Sequence, residues 1–483
     1  MKKLMCIVVL LCAAFYLRAE VTLPNVISSN MVLQQQKPVP IWGTAAAGEQ
    51  VTVSFAGQQK TAVADADGKW RVNLDPMKAT PVPAEMTISG ENTITLENVV
   101  IGEVWLASGQ SNMEYAMRRG AAMAPPAKGE DLAALELEKP ANPQIRVMLS
   151  TRSFGRQMPG AFGGMRSGWA EASGESLPRQ SAVGYFFAKS LADQLPGVPI
   201  GIITAAVGGT RIEPWTTREA YLEDPRFAAE MQEKGSIDGA RPNEMYDGLI
   251  APLVPFALRG IIWYQGEQNQ SQSDRRYDEK MEVLINSWRK AFENKDASFY
   301  YVLLAPHIYS DRLHRGHAVT ADELPIFWEM QEKARLLPHC GMTVVSDLVD
   351  TLTDIHPSYK WEVGRRLSLH ALAKDYGQKK LVYSGPTFKQ VAAKGNTLEV
   401  SFDYVAKGLK IAGQDTYLKT FEIAGADGNF VPAKAVIKKK KVVVSSDQVD
   451  HPVSVRMGWH ETFRPNLVNS AGLPAAPFRA TVK

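Results

Sequence analysis

The sequence predicts an α/β protein: a three-layer domain built on a parallel β-sheet, flanked by all-β, sandwich-like segments at both ends. Two observations lead to this fold class. In the middle of the chain, short continuous apolar runs alternate with stretches of helical periodicity, which is typical of a parallel sheet covered on both faces. Towards both ends, short alternating segments are separated by turn residues, which is typical of antiparallel sheets.

Residues 1–19 are expected to be a secretory signal that is absent from the mature protein. Lys2 and Lys3 begin it, an apolar run follows from Leu4 to Leu17, and Ala19 offers a small residue for cleavage. The apolar run is too short for a comfortable membrane span. The mature protein is therefore expected to be periplasmic or secreted, with no membrane attachment after cleavage.

The charge balance and the cysteines exclude several classes of protein. The chain has 54 basic and 51 acidic residues, so loss of Lys2, Lys3 and Arg18 with the signal would leave 51 of each. A neutral mature chain argues against nucleic acid or an anionic membrane as the main partner. Of the three cysteines only Cys340 lies beyond the signal, so no intrachain disulfide is expected.

The same patterns give the expected domain boundaries. Residues 20–100 form an N-terminal β domain, residues 101–376 the α/β domain, and residues 377–483 a C-terminal β domain that either stands alone or packs with the N-terminal segment. The β segments are marked by alternating stretches at 50–55, 69–74 and 397–402, and by turns at 66–68 and 426–429.

The α/β domain is expected to hold its strands in the apolar runs and its helices in the periodic stretches between them. Helical periodicity is present over 183–191 and 277–292. The apolar runs are 104–106, 200–207, 261–264, 300–305 and 342–345.

Polar clusters follow four of these apolar runs. They are Ser108–Met113, Gly208–Thr210, Gln265–Asn269 and an acidic stretch that ends in Asp354–Pro357. Ligands of open α/β sheets bind beyond the carboxyl ends of the strands, so these clusters are expected to converge on one crevice.

The residue types in the clusters match the needs of acyl transfer. A serine hydroxyl requires a base to become a nucleophile, and a neutral imidazole suits that role, which points to Ser111 and His356. The tetrahedral intermediate needs donors for its oxyanion. The backbone amides of Ser111 and Gly208 and the side-chain amide of Asn269 are the candidates, with Gly208 preferred to Gly209.

These clusters, in this order, resemble the Ser-Gly-Asn-His (SGNH) hydrolases, in the branch of sialate O-acetylesterases and acetylxylan-esterase-like enzymes. The resemblance covers nearly the whole mature chain. It rests on Gly102–Met113, Gly208–Thr210 with Trp215, Trp263–Asn269, Asp354–Pro357 with Lys360, Met31–Gln34 with Trp42–Gly43, and Asn469–Pro474 with Pro477–Arg479.

The resemblance implies a flavodoxin-like SGNH hydrolase domain and an activity. The expected reaction is hydrolysis of acetyl esters of sugars through a Ser-linked acetyl-enzyme, without a cofactor. The implied substrate is an O-acetylated sugar or glycan, with sialic acid first and acetylated xylan or pectin as alternatives. An alternative hypothesis is that the protein binds carbohydrate without catalysing a reaction. The intact Ser111, Asn269 and His356 argue against this hypothesis.

The pattern leaves more than one candidate for the acid that would orient His356. Many SGNH enzymes carry it three residues before the histidine, where this chain has Thr353. Asp354 is therefore assigned, and Asp350 and Asp347 of the same acidic stretch stay open as alternatives.

Three further residues are assigned to the substrate side of the site. Gln110 adjoins the nucleophile, Trp215 either belongs to the core or shelves a sugar ring, and Glu267 is an acceptor in the loop of the third cluster. No metal is expected, because the suggestive pair His314 and His317 lacks an evident third ligand.

Overall fold

The computed structural model describes residues 20–120, 123–150, 168–311, 313–314 and 317–482, without the side chains of residues 313, 314 and 317. The expected signal, residues 1–19, lies outside the described residues. Within the described ranges, no helix has both the length and the apolar character that a membrane span requires.

The N-terminal segment is all-β, as predicted, and it is joined to the α/β domain by one long strand. Its strands are β1 (Val32–Gln34), β2 (Val39–Thr44), β3 (Gln50–Phe55), β4 (Gln58–Val63), β5 (Lys69–Leu74), β6 (Thr80–Ser89) and β7 (Thr93–Gly109). The first half of β7 pairs antiparallel with β6, and its second half lies inside the parallel sheet. The expected boundary between residues 100 and 101 therefore falls within a continuous strand.

The central domain alternates strands with helices. Its further strands are β8 (Asn142–Leu149), β9 (Trp169–Ala172), β10 (Ile200–Ala206), β11 (Gly260–Tyr264), β12 (Ser298–Val302), β13 (Leu313–His314), β14 (His317–Ala318) and β15 (Cys340–Thr343). Its helices are α1 (Ser111–Glu114), α2 (Leu132–Leu137), α3 (Ala182–Gln194), α4 (Arg218–Glu223), α5 (Ala228–Lys234), α6 (Glu267–Gln270), α7 (Tyr277–Ala291), α8 (Glu323–Ala334) and α9 (Lys360–Lys374).

The central sheet has the order β15-β12-β11-β7-β10-β8-β9, in which all neighbours are parallel except the edge pair β8 and β9. The predicted α/β class with a parallel sheet is thus confirmed. Strand β7 lies in the middle, with β10 on one side and β11 on the other. The strand order reverses on the two sides of β7, and such a reversal opens a crevice at the carboxyl ends of the strands.

Strand β8 is absent from the apolar runs that predicted the other parallel strands. It begins with Asn142-Pro143-Gln144, and Arg146 interrupts its apolar residues. The Arg146 guanidinium is nevertheless buried, because Glu171 and Asn98 lie beside it. These two partners allow β8 to carry a buried charge, although its local sequence pattern does not indicate a strand.

Helices cover both faces of the sheet. Trp105 of β7 and Trp263 of β11 lie three residues apart in register, so their side chains point to opposite faces. Trp105 packs edge-on against Phe187 of α3, and Trp263 packs edge-on against Trp288 of α7. Both tryptophans are fully buried. This is the three-layer arrangement that the sequence predicts.

The two long helices that the periodicity predicts have ordinary signals at their ends. Ser181 caps α3, since its side chain accepts a hydrogen bond from the Gly184 amide. Helix α7 begins with Asp278 and Glu279 and ends with Arg289 and Lys290, an arrangement that suits the helix dipole.

The C-terminal segment is also all-β, as predicted. Two four-stranded antiparallel sheets form most of it, with the orders β16-β17-β22-β21 and β20-β19-β23-β25. The strands are β16 (Thr387–Lys394), β17 (Thr397–Asp403), β18 (Leu409–Ile411), β19 (Phe421–Ala424), β20 (Val431–Pro432), β21 (Lys434–Lys438), β22 (Lys441–Ser445), β23 (Ser454–Met457), β24 (Leu467–Asn469) and β25 (Phe478–Thr481).

Both terminal segments contact the central domain through charged groups. Arg71 of β5 forms a two-pronged ion pair with Glu293, which directly follows α7 and its cap. On the other side, buried Glu461 accepts hydrogen bonds from the backbone amides of Tyr309 and Ser310. Each β segment is thereby held against a loop of the central domain.

Candidate active site

The site begins where β7 ends. Gly109 has φ +141°, and a Cβ at this position would lie 2.1 Å from the carbonyl oxygen of Tyr264 in β11. Only glycine fits such a close approach of two strand ends. Helix α1 then starts at Ser111, which is thereby raised above the carboxyl end of the sheet.

His356 lies directly against Ser111. Its Nε2 is 2.9 Å from the Ser111 Oγ, although the two residues are 245 positions apart. Burial lowers the pKa of His356, the nearby Lys360 ammonium lowers it further, and Asp354 opposes both effects. The imidazole is therefore neutral near pH 7 and has a lone pair available for the serine proton.

Of the three candidate acids, Asp354 is the one that faces the imidazole. Its Oδ1 accepts a hydrogen bond of 2.8 Å from the backbone amide of His356, and it lies 3.8 Å from His356 Nδ1. The second distance is longer than a hydrogen bond.

The other two carboxylates have different partners. Asp347 forms a two-pronged ion pair with Arg366, at 2.7 and 2.6 Å. Asp350 accepts hydrogen bonds from the Tyr359 hydroxyl and from the Ala127 amide. The geometry thus favours Asp354 as the residue beside the base.

Only part of the expected set of oxyanion donors is open. The amide of Ser111, at the first position of α1, donates to no acceptor in the described part of the chain, as is usual for the first amides of a helix. The Gly208 amide, however, donates to the Glu114 carboxylate at 2.6 Å. Gly208 lies beside Ser111, but its amide reaches an oxyanion only when the Glu114 side chain withdraws.

The Asn269 side chain has internal hydrogen-bond partners, and its role as an oxyanion donor stays a prediction. Its side chain is fully buried, and its amide nitrogen donates to Asp274 at 2.7 Å and to Glu213 at 3.2 Å. Its amide oxygen accepts from the Ile212 amide and from the Gln265 side chain. With both ends bonded to internal partners, the Asn269 amide braces the loop that follows β11.

Two of the three residues assigned to the substrate side, Trp215 and Glu267, are buried in this structure. Trp215 is fully buried, packs edge-on against Trp263, and donates its indole N–H to Thr210 Oγ1. It therefore belongs to the core. Glu267 is only 4% exposed, and its carboxylate accepts from Asn112, so it has no surface for a sugar.

Gln110 remains a prediction as a substrate contact. It is 3% exposed, and its side-chain oxygen accepts from the side chain of Gln265 and from the amides of Gly266 and Gln268. These three donors fix the orientation of the side-chain amide next to the nucleophile.

Sequence reasoning missed the structural role of Asn112 and the contacts of Lys360. The Asn112 amide nitrogen donates to Glu267 and to the carbonyl of Ile355, which directly precedes His356. Lys360 donates to the Asn112 oxygen at 2.5 Å. The signal available was spacing: Asn112 adjoins the nucleophile, and Lys360 lies four residues after the base, at the first position of α9.

A cluster of carboxylates elsewhere in the domain has the geometry of a cation site. The described part of the chain contains one such group: Glu213, Asp238 and Asp274, whose carboxylate oxygen atoms lie within 4.8 Å of one another. The buried ammonium of Lys280 lies among them, at 2.7, 2.7 and 2.6 Å respectively. Lys280 thus supplies the cation. His314 and His317 pair through their backbones in the β13–β14 ribbon, and their side chains lie outside the described residues.

We expect dialysis against EDTA to leave esterase activity unchanged. The carboxylate cluster is compensated by Lys280, and a serine–histidine pair activates its nucleophile without a metal. Acetate release before and after dialysis measures this, with metal content followed in parallel. Loss of activity that zinc restores would contradict the expectation and direct attention to His314 and His317.

Comparison with known proteins identifies the family of this chain. Residues 101–356 match the family of carbohydrate esterases described as sialic acid-specific acetylesterases. A carbohydrate acetylesterase from Xanthomonas citri has the same fold over 96% of this chain and 100% of its own, with 33% identity and a TM-score of 0.82.

Mammalian relatives extend the similarity over most of the chain. The sialate O-acetylesterase of Rattus norvegicus is 28% identical over 82% of this chain and 81% of its own length. That of Homo sapiens is 27% identical over 94% and 92%. The chain therefore belongs to the sialic acid-specific acetylesterase family of carbohydrate esterases and is a carboxylic ester hydrolase.

Proposed function

We propose that this protein removes O-acetyl groups from sugars, with O-acetylated sialic acid as its preferred substrate, and that Ser111 and His356 carry out the reaction. One observation carries the proposal: the 2.9 Å contact between the Ser111 hydroxyl and His356 Nε2, at the carboxyl end of the central strand β7. It supplies a nucleophile and its base at the place where α/β sheets bind ligands.

In the first half of the reaction, His356 Nε2 accepts the Ser111 proton as Oγ attacks the acetyl carbonyl carbon. The carbonyl π electrons move to oxygen, and the Ser111 amide donates to the resulting oxyanion. When the tetrahedral intermediate collapses, the bond to the sugar oxygen breaks. His356 gives its proton to that oxygen, so the sugar leaves as an alcohol and the acetyl group stays on Ser111.

In the second half, water replaces the sugar. As the water molecule attacks the acetyl carbonyl carbon, His356 accepts one of its protons. His356 then gives a proton to Ser111 Oγ as the bond between Oγ and the acetyl carbon breaks and acetate leaves. A carboxylate beside the ring stabilises the imidazolium that forms in each half. Asp354 is in position to do so, since its Oδ1 lies 3.8 Å from Nδ1.

The proposal is tested by acetate release from three substrates at matched acetyl concentration: O-acetylated sialic acid, acetylated xylan and acetylated pectin. We expect the highest kcat/KM for sialic acid, as the family description and the relatives' names suggest. The Ser111→Ala variant is the matched control. A higher value for xylan or pectin would reassign the substrate, and binding of glycans without any acetate release would favour a non-catalytic carbohydrate-binding protein.

A further inference from the structure

Lys360 is a buried cation directly beneath the proposed catalytic pair. It is the first residue of α9, its side chain has no exposed surface, and its Nζ donates to Asn112 Oδ1 at 2.5 Å. The rings of Tyr115 and Tyr264 lie below the ammonium, with centroids at 4.9 and 5.4 Å. A charge removed from water in this way is strongly unfavourable unless its surroundings compensate it. The contacts of the Lys360 ammonium therefore indicate which part of the site it stabilises.

Asn112 links Lys360 to both proposed catalytic segments. Its amide nitrogen donates to the Glu267 carboxylate and to the Ile355 carbonyl, the latter at 3.0 Å. Its backbone is that of the residue after Ser111, and Ile355 is the residue before His356. The side-chain amide of Asn112 therefore joins the nucleophile turn to the histidine loop, with a cation on its oxygen and a carboxylate on its nitrogen.

We propose that Lys360 is a positioning residue for ester hydrolysis: acting through Asn112, its ammonium holds the loop of His356 against the turn of Ser111. The inference rests on the proposed function, because it takes Ser111 and His356 as nucleophile and base. Lys360 itself touches no substrate, since its side chain is fully buried.

The charge of Lys360 also acts on His356. After burial, the Lys360 ammonium is the larger of the two charge effects on the pKa of His356, and it lowers that pKa while Asp354 raises it. Burial lowers the pKa of Lys360 to about 7, and the carboxylates of Glu267 and Asp354 partly offset this effect by raising it. Lys360 is thus charged below about pH 7, the range in which His356 would gain a proton. Its charge therefore extends the neutral form of the base to lower pH.

The test is the Lys360→Met variant, which keeps an unbranched side chain that ends one atom earlier and removes the amino group that carries the charge and donates to Asn112. We expect kcat to fall about 100-fold, the loss that a misplaced reacting group produces, with KM little changed. Removal of the ammonium raises the pKa of His356, so the acid limb of the kcat/KM profile should move to higher pH. The matched control is Lys374→Met on the same helix, about 20 Å further along its axis, which should leave the acid limb in place.

The Glu267→Gln variant decides the question if Lys360→Met does not fold. It keeps an acceptor for Asn112 and removes the carboxylate that raises the pKa of Lys360. Lys360 then loses its proton at lower pH, and the acid limb should again move to higher pH. An unmoved acid limb in a folded Lys360→Met or Glu267→Gln protein, with only thermal stability reduced, would overturn the inference. Activity that survives in Ser111→Ala would instead remove the proposed function.

Discussion

Replacement of Ser111 by alanine is expected to lower kcat by about a million-fold, the loss typical for the nucleophile of a serine hydrolase. The variant lacks the Oγ that lies 2.9 Å from His356 Nε2, so no acetyl-enzyme can form. The fold should survive, because Ser111 is only partly buried and alanine is a good helix former at the start of α1. Acetate release and thermal unfolding measure the two effects.

Covalent labelling provides the control for this prediction. An organophosphonate or a sulfonyl fluoride should modify Ser111 in the unaltered protein and abolish activity, and peptide mass spectrometry identifies the labelled serine. The Ser111→Ala protein should not be labelled. Modification of another serine, together with full activity of Ser111→Ala, would exclude the proposed nucleophile.

Replacement of Asp354 by asparagine is expected to lower kcat by about 10,000-fold, less than loss of the nucleophile. The carboxylate lies 3.8 Å from His356 Nδ1, where it stabilises the imidazolium that forms during each proton transfer. Asparagine keeps an oxygen for the His356 backbone amide, at present bonded at 2.8 Å, and removes only the charge. The variant therefore separates the charge of Asp354 from its part in the turn.

Asp347→Asn and Asp350→Asn are the matched controls, because they remove the same charge from the same stretch of chain. Asp347 is paired with Arg366, and Asp350 is bonded to Tyr359 and to the Ala127 amide, so both should affect stability more than kcat. A strong loss of kcat in either control, with Asp354→Asn fully active, means that the orienting acid lies elsewhere. Full activity in all three variants would indicate a serine–histidine pair that needs no carboxylate.

The sequence predicted those parts of the fold that depend on local patterns. The apolar runs at 200–207 and 261–264 correspond to β10 and β11 within one residue at each end. The runs at 300–305 and 342–345 begin two residues after β12 and β15 begin, and they continue three and two residues past the ends of these strands. Strand β8 was missed, because a polar start and Arg146 hide its period.

The sequence by itself determined the fold class, the family, and the pairing of a serine with a histidine. These follow from residue type, period and order along the chain, and the 2.9 Å contact between Ser111 and His356 agrees with them. The tertiary structure decided which carboxylate faces the imidazole, that Glu114 occupies the Gly208 amide, that Asn269 and Trp215 are internal, and that Lys360 lies beneath the pair. The physical reason is competition for hydrogen bonds. A buried polar group bonds to whichever partner the fold brings within about 3 Å. Local pattern does not reveal such a partner when it lies far along the chain, as Glu114 does from Gly208 and Asn112 from Lys360.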